Sequence, residues 1–201
     1  GSLEGLCGAI IADYDPESSH RNMSLLQIAF SAGAVAVLVV TSRLPLANGA
    51  WQRIYLALAI ATAVVLLLSI FMRVPPAPPG EQISLTIVRR VITSPFIILL
   101  AVAIAFYVGS EMSLAYWIRM LLQKAGNQAA DAILAPALFW GMTGVGRFIS
   151  GQLCRRYTGL SVLRWLLVGG LCSYVVLLLP GGLWTLWLGT GLAGLTFSGV
   201  W

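Results

Sequence analysis

The chain has 201 residues, 59% of them hydrophobic and 9% charged, with a mean hydropathy of +0.90. A soluble domain carries about 25% charged residues, so twelve basic and seven acidic side chains cannot coat a soluble particle of this size. The apolar content excludes disorder, and Cys7, Cys154 and Cys172 are too few and too spread to staple a secreted domain.

What remains is an all-α integral membrane protein. At roughly 20 residues per spanning helix, the length holds about seven. The apolar runs reach 18 residues or more without period-two alternation, unlike the roughly ten-residue alternating strands of a membrane barrel. The net charge of +5 does not point to nucleic acid, because the arginines stand at the ends of apolar runs. Gly1 is not a start Met, Trp201 stops inside an apolar run, and no charged leader with a cleavage site precedes the first segment. These ends read as an internal piece of a longer chain.

The first segment, residues 1–11, is short, Gly-rich and apolar except for Glu4. Residues 12–21 form a polar loop, in which Ser18 or Ser19 is placed to cap the next helix. The second segment runs from about Asn22 to Thr41. Its small pairs Ala29/Gly33 and Ala32/Ala36 predict close helix approach. Pro45 and Asn48-Gly49 mark the loop that follows. The third segment, 54–72, is 19 uncharged residues and a clear span.

Pro75–Gly80 is a polyproline spacer, and residues 81–92 predict a short surface helix with Arg89 and Arg90. This is the longest interruption in the chain and its best domain boundary. The fourth segment, 94–122, carries Glu111; the fifth, 130–153, is rich in Gly. Pro180-Gly181-Gly182 divides the remaining apolar stretch into a sixth segment, 161–179, and a seventh from 183.

Alternating helix directions put the connections on two sides. One side holds Arg21, Arg73, Arg89, Arg90, Arg147, Arg155, Arg156 and Arg164; the other holds Arg43, Arg53, Arg119 and Lys124. The richer side, with loops 12–21, 74–92 and 154–161, is expected to be cytoplasmic.

Gly189-Thr190-Gly191-Leu192-Ala193-Gly194 fits the dinucleotide pattern but lies inside an apolar run, where small residues pack helices. His20 is the only histidine, and no two cysteines have ligand spacing, so no metal site is expected. Glu4 and Glu111 leave general acid–base chemistry open, but nothing else marks an enzyme. Glu4 and Glu111 are the most informative residues, since an acid within a spanning helix is costly and usually serves a cavity. Each can carry a proton, accept a substrate hydrogen bond, or both. The bland reading of Glu111 is a place near the outer interface, loosely paired with Arg119.

Tyr107 shares a helix face with Glu111, and Tyr116 and Trp117 follow closely. Aromatics beside one acid suit a sugar-like ligand; the alternative is an interfacial aromatic belt. Gln27 either lines the cavity or bonds to a neighbouring helix. Gly146, Arg147, Gly151, Arg155, Arg156 and Gly159 let helices pinch together at the membrane surface, with arginines free to bind helix C-termini, acids or lipid phosphates. Plain positive-inside anchoring is the simpler account of the arginines.

These residues carry a resemblance to the major facilitator superfamily of secondary transporters, closest to its fucose-permease-like branch. Residues 4–13 and 22–33 look like the family's fourth and fifth helices. Residues 107–117 look like its seventh, and residues 139–159 like the eighth helix with the loop motif after it. The resemblance covers the whole chain as helices four to ten of twelve. It implies residues 1–73 as the end of an N-terminal bundle (partial helix four, helices five and six). It implies 74–92 as a cytoplasmic linker and 93–201 as a C-terminal bundle (helices seven to ten, the last truncated).

It further implies alternating access around a central site and proton-coupled uptake of a sugar-like solute. Glu4, Glu111, Gln27, Tyr107 and Trp117 would then serve substrate or proton, and the Gly/Arg loop motif the conformational change. No cofactor is expected beyond the proton as coupling ion. The expected partners are the solute and the lipid bilayer of the plasma membrane, with the full-length protein a monomer. Arg155 stands where the superfamily commonly has an acid, and Gly8 where it often has Asn. The alternatives are an exporter of another solute class, a polytopic membrane enzyme such as a group transferase acting through Asp13, Asp15 and Glu17, or a transporter-like sensor.

Overall fold

The computed structural model describes residues 7–11, 19–43, 50–71, 84–126, 132 and 134–199. Glu4, the acids Asp13, Asp15 and Glu17, Pro45, the Asn48-Gly49 turn, Arg73, the polyproline spacer and Trp201 lie outside the described residues, as does the His20 side chain. Among the described residues every regular element is helical. The helices are α1 (Ser19–Arg43), α2 (Ala50–Phe71), α3 (Leu85–Ile92), α4 (Pro95–Lys124), α5 (Leu134–Leu153), α6 (Gly159–Leu178) and α7 (Leu183–Thr196), followed by a 3₁₀ turn, Phe197–Gly199. Residues 7–11 are also helical.

Four described helices are long and apolar enough to cross a membrane: Asn22–Arg43, Gln52–Phe71, Pro95–Lys124 and Gly159–Leu178. They match the second, third, fourth and sixth apolar segments. The fifth and seventh segments differ for physical reasons. Helix α5 carries Thr143, Arg147, Ser150 and several glycines, and it packs on α1 on one side and α7 on the other. A helix enclosed by protein does not need an apolar surface all round. Helix α7 has 14 residues, about 21 Å at 1.5 Å per residue, less than the roughly 30 Å of a bilayer core.

Local chemistry sets the ends. Gly126 takes φ 92° just beyond α4, the left-handed conformation that closes many helices and favours glycine. Pro180 holds Leu179 extended (φ −70°, ψ 139°), which stops α6 at Leu178. Gly182, at φ 67°, then turns the chain into α7.

The chain forms two compact units, Gly1–Arg43 with Ser113–Trp201, and Leu44–Met112. The first packs through glycines. A Cβ on Gly146 would overlap the Leu195 carbonyl oxygen and the Ser198 side chain, and one on Gly194 would overlap the Phe139 carbonyl oxygen. Gly189 abuts Leu177 in the same way, and Gly169 abuts Thr196. Helices α5 and α7 therefore meet almost backbone to backbone, and the glycines of α6 and α7 admit the Thr196 and Leu177 side chains, the arrangement small residues permit in lipid, where apolar surface alone gives no association. The G-x-G-x-x-G run is helix packing, as its apolar setting predicted.

Ile118 and Leu122 of α4 join Ala132, Ala135, Leu177, Leu183, Leu186 and Trp187 in an apolar cluster in this unit. An aromatic chain also crosses it: Phe30–Trp140, Phe139–Phe197 and Tyr174–Phe197 have ring centroids 5.5, 6.4 and 5.9 Å apart.

In the second unit, α2 exposes apolar side chains along its whole length. Helix α3 is the short surface helix expected for 81–92, starting at Leu85. It exposes Leu85, Val88, Val91 and Ile92 together with Arg89 and Arg90. Thr93 and Ser94 join it to α4 through Thr93 N–H to Arg89 O (3.0 Å) and Ser94 N–H to Val91 O (3.1 Å).

Candidate functional site

Helices α1 and α5 run antiparallel in close contact. Gly151 faces Ser24, Gly144 faces Ser31 and Gly141 faces Val35: Cβ atoms built on these glycines would stand 3.4 Å from Ser24 Oγ, 3.1 Å from Ser31 Cβ and 3.6 Å from Val35 Cγ2. The steps of seven and four on α1, and of seven and three on α5, define one stripe on each helix. Ala29, Ala32, Gly33 and Ala36 are exposed instead, and nothing lies within 4 Å of a Cβ on Gly33. The expectation that those small pairs form the contact is corrected. Serine hydroxyls facing glycines, not the alanine rows, fix which side of α1 packs here.

Arg147 lies at the centre of this seam and is 6% exposed. Its Nη1 donates to the Gln27 carbonyl oxygen and to Ser31 Oγ, both at 2.8 Å. Ser31 Oγ in turn donates to the Gln27 carbonyl oxygen at 3.1 Å, so the hydroxyl accepts from the arginine and donates back into its own helix. The Arg147 guanidinium carbon is 5.9 Å from the centre of the Phe30 ring, within cation–π range. Phe30 meets Trp140 edge-on.

Sequence counting had treated Arg147 as a surface cation. It stands six residues inside the end of α5 and is buried, so it does not mark a membrane side; the remaining count is seven against four. The rest of the loop motif divides. Gly146 packs against α7 and the 3₁₀ turn, and Gly151 against α1. Arg155 and Arg156 are exposed beyond the helix, and Gly159 has open space around it.

The sequence model of the Major Facilitator Superfamily matches residues 1–201. The chain belongs to the Major Facilitator Superfamily. It is therefore a multi-pass membrane protein of a transporter family, built of helices throughout its described length. No curated protein and no solved structure matches the chain.

In this facilitator, the other acid expected to matter besides Glu4 is Glu111 of α4, 2% exposed. It stands 16 residues into a 30-residue helix, about 24 Å from the helix start, far from either end. Tyr107, half-buried, precedes it by one turn on the same side, and Leu114, Ile118 and Leu122 continue the buried stripe; Ser110, the adjacent residue, is also half-buried. Glu111 is thus buried within the helix, while Arg119, two turns on, is exposed.

Trp117 does not share this stripe. It is 53% exposed and packs edge-on against Tyr116, which is 69% exposed, with centroids 5.5 Å apart. Gln27 is buried, but on the α1–α5 seam, with its main-chain oxygen taken by Arg147. Ser24, Phe30, Ser31 and Trp140 were not singled out from the sequence. The signal was present in the seven-residue spacing of Ser24 and Ser31, matched by that of Gly144 and Gly151.

Proposed function

We propose that this facilitator is a secondary active transporter of a small, sugar-like solute, coupled to protons and working by alternating access. The observation that carries the reading is Glu111. A carboxylate that is 2% exposed at the middle of a spanning helix is costly in a membrane and is kept there for a proton or a substrate. Tyr107, one turn before it on the same side, and the adjacent half-buried Ser110 supply an aromatic face and a hydroxyl, the groups that recognise C–H faces and hydroxyls of a sugar. Trp117 faces another way, and we place it in the interfacial aromatic belt.

The same reading assigns the chain to helices four to ten of a twelve-helix frame in the fucose-permease-like branch. The linker at 74–92 joins the two bundles, with linker and loops 12–21 and 154–161 on the cytoplasmic side of the plasma membrane. Glu4 is then the second candidate acid, from the N-terminal bundle, and the protein works as a monomer without a cofactor.

The test is uptake by the full-length protein in proteoliposomes carrying an imposed proton gradient, over a panel of neutral hexoses, amino sugars and sugar acids. Accumulation of a sugar that collapses with a protonophore supports the reading. Sugar binding with no gradient-driven accumulation would point to a sensor instead.

A further inference from the structure

Helix α3 has a divided surface. At 3.6 residues per turn, Leu85, Val88, Val91 and Ile92 fall within an arc of about 120°, and all four are exposed. Arg89 and Arg90 occupy the adjoining arc of about 100° with Thr93 between them, and these three are exposed as well. The two arginines are the only charged residues between Glu81 and Glu111. Eight residues make about 12 Å of helix, too short to cross the roughly 30 Å of a bilayer core.

The place of α3 in the chain decides what covers its apolar arc. Pro95 opens α4, a spanning helix, and has no N–H to offer the Val91 carbonyl. The Ser94 N–H donates to that oxygen at 3.1 Å, and helical bonding restarts with Ile98 N–H to Ser94 O at 3.0 Å. The Thr93 hydroxyl donates to the Arg89 carbonyl at 2.8 Å. Helix α3 is therefore a separate helix tied, through Thr93 and Ser94, to the start of a membrane span. A short helix held there, with four exposed apolar side chains and two adjoining cations, fits a position in the plane of the membrane surface. Its apolar arc meets the acyl boundary and its guanidinium groups reach the headgroup phosphates.

We propose that α3 binds acidic phospholipid, with Arg89 and Arg90 holding the headgroup. A planar guanidinium pairs with two phosphate oxygens at once. Two cations with no acid near them in the chain favour a headgroup of net negative charge, by about fivefold for each arginine at the surface. The proposal rests on insertion in a membrane and not on transport or proton coupling. The orientation proposed above puts α3 at the cytoplasmic leaflet, where acidic lipids give a negative surface.

The test uses full-length protein in nanodiscs, with Cys7, Cys154 and Cys172 replaced by Ser and a fluorophore on V88C. The control carries the fluorophore on L171C instead, at an exposed position of the spanning helix α6. The discs hold phosphatidylcholine and phosphatidylglycerol in equal parts, and one lipid or the other has brominated, quenching chains. At V88C, brominated phosphatidylglycerol should quench with a relative affinity about fivefold or more above that of brominated phosphatidylcholine, a preference that salt weakens. In Arg89→Gln/Arg90→Gln the two lipids should quench V88C alike. Both should quench L171C alike in either background, which also shows that the variant is inserted. Equal quenching of V88C by both lipids in the parent would overturn the proposal, as would a preference that survives loss of both arginines. So would absence of quenching by either lipid, which would put α3 against protein rather than lipid. No step of the measurement needs flux, so a failure of uptake bears on the transport reading alone.

Discussion

Ser31 and Arg147, 116 positions apart in the chain, meet at 2.8 Å across the α1–α5 seam. The serine hydroxyl donates to the Gln27 carbonyl within its own helix while accepting from the guanidinium. Ser31 is 2% exposed and Arg147 6%, so water does not substitute for either bond. Replacing Ser31 by Ala removes one acceptor and leaves the carbonyl. The expected cost is about 1–3 kcal/mol, read as a lower unfolding temperature in detergent. Ser31→Thr, which keeps the hydroxyl but adds a methyl against Gly144, should lose stability through crowding.

Glycine substitutions should separate into two classes. Gly146→Ala and Gly194→Ala drive a methyl into the backbone of a facing helix, and overpacking of this kind costs about 1–3 kcal/mol. Gly33→Ala and Gly109→Ala meet nothing within 4 Å and should be neutral or stabilising by up to about 1 kcal/mol, from helix propensity. Thermal unfolding of the four variants in one detergent checks the ranking.

Two of the cysteines report topology in a Cys7→Ser background. Cys154 is exposed in the turn after α5, whereas Cys172 is exposed on the surface of α6, a spanning helix. A membrane-impermeant maleimide added from the cytoplasmic side of inverted vesicles should label Cys154 and leave Cys172 unmodified. Labelling of Cys154 only from the opposite side would reverse the proposed orientation.

Much of the helical layout was legible because it rests on two strong signals. Long apolar runs marked α1, α2, α4 and α6, those of α1 and α2 without a charge over 18 residues or more, and Pro180-Gly181-Gly182 marked the break between α6 and α7. Glu111 was legible for the same reason, as the one acid in a long apolar run. What could not be read was which side of each helix packs. In α1 the alanine and glycine rows looked like the better contact, and only three-dimensional pairing with Gly144 and Gly151 selects the serine row. The depth of Arg147 was hidden too. Its neighbours Arg155 and Arg156 suggested one surface cluster, but α5 continues to Leu153 and carries Arg147 inward.

The central claim is that a buried carboxylate couples the solute to protons, and Glu111→Gln tests it most directly. The amide keeps nearly the same shape and hydrogen-bonding capacity but cannot carry a proton. The measurement is initial uptake rate against external pH in proteoliposomes, for parent and variant at equal folded amounts. The account predicts that the parent accumulates solute along the proton gradient. Glu111→Gln should lose accumulation and its pH dependence, while still exchanging solute across the membrane without a gradient. A variant whose uptake and pH profile match those of the parent would contradict the account.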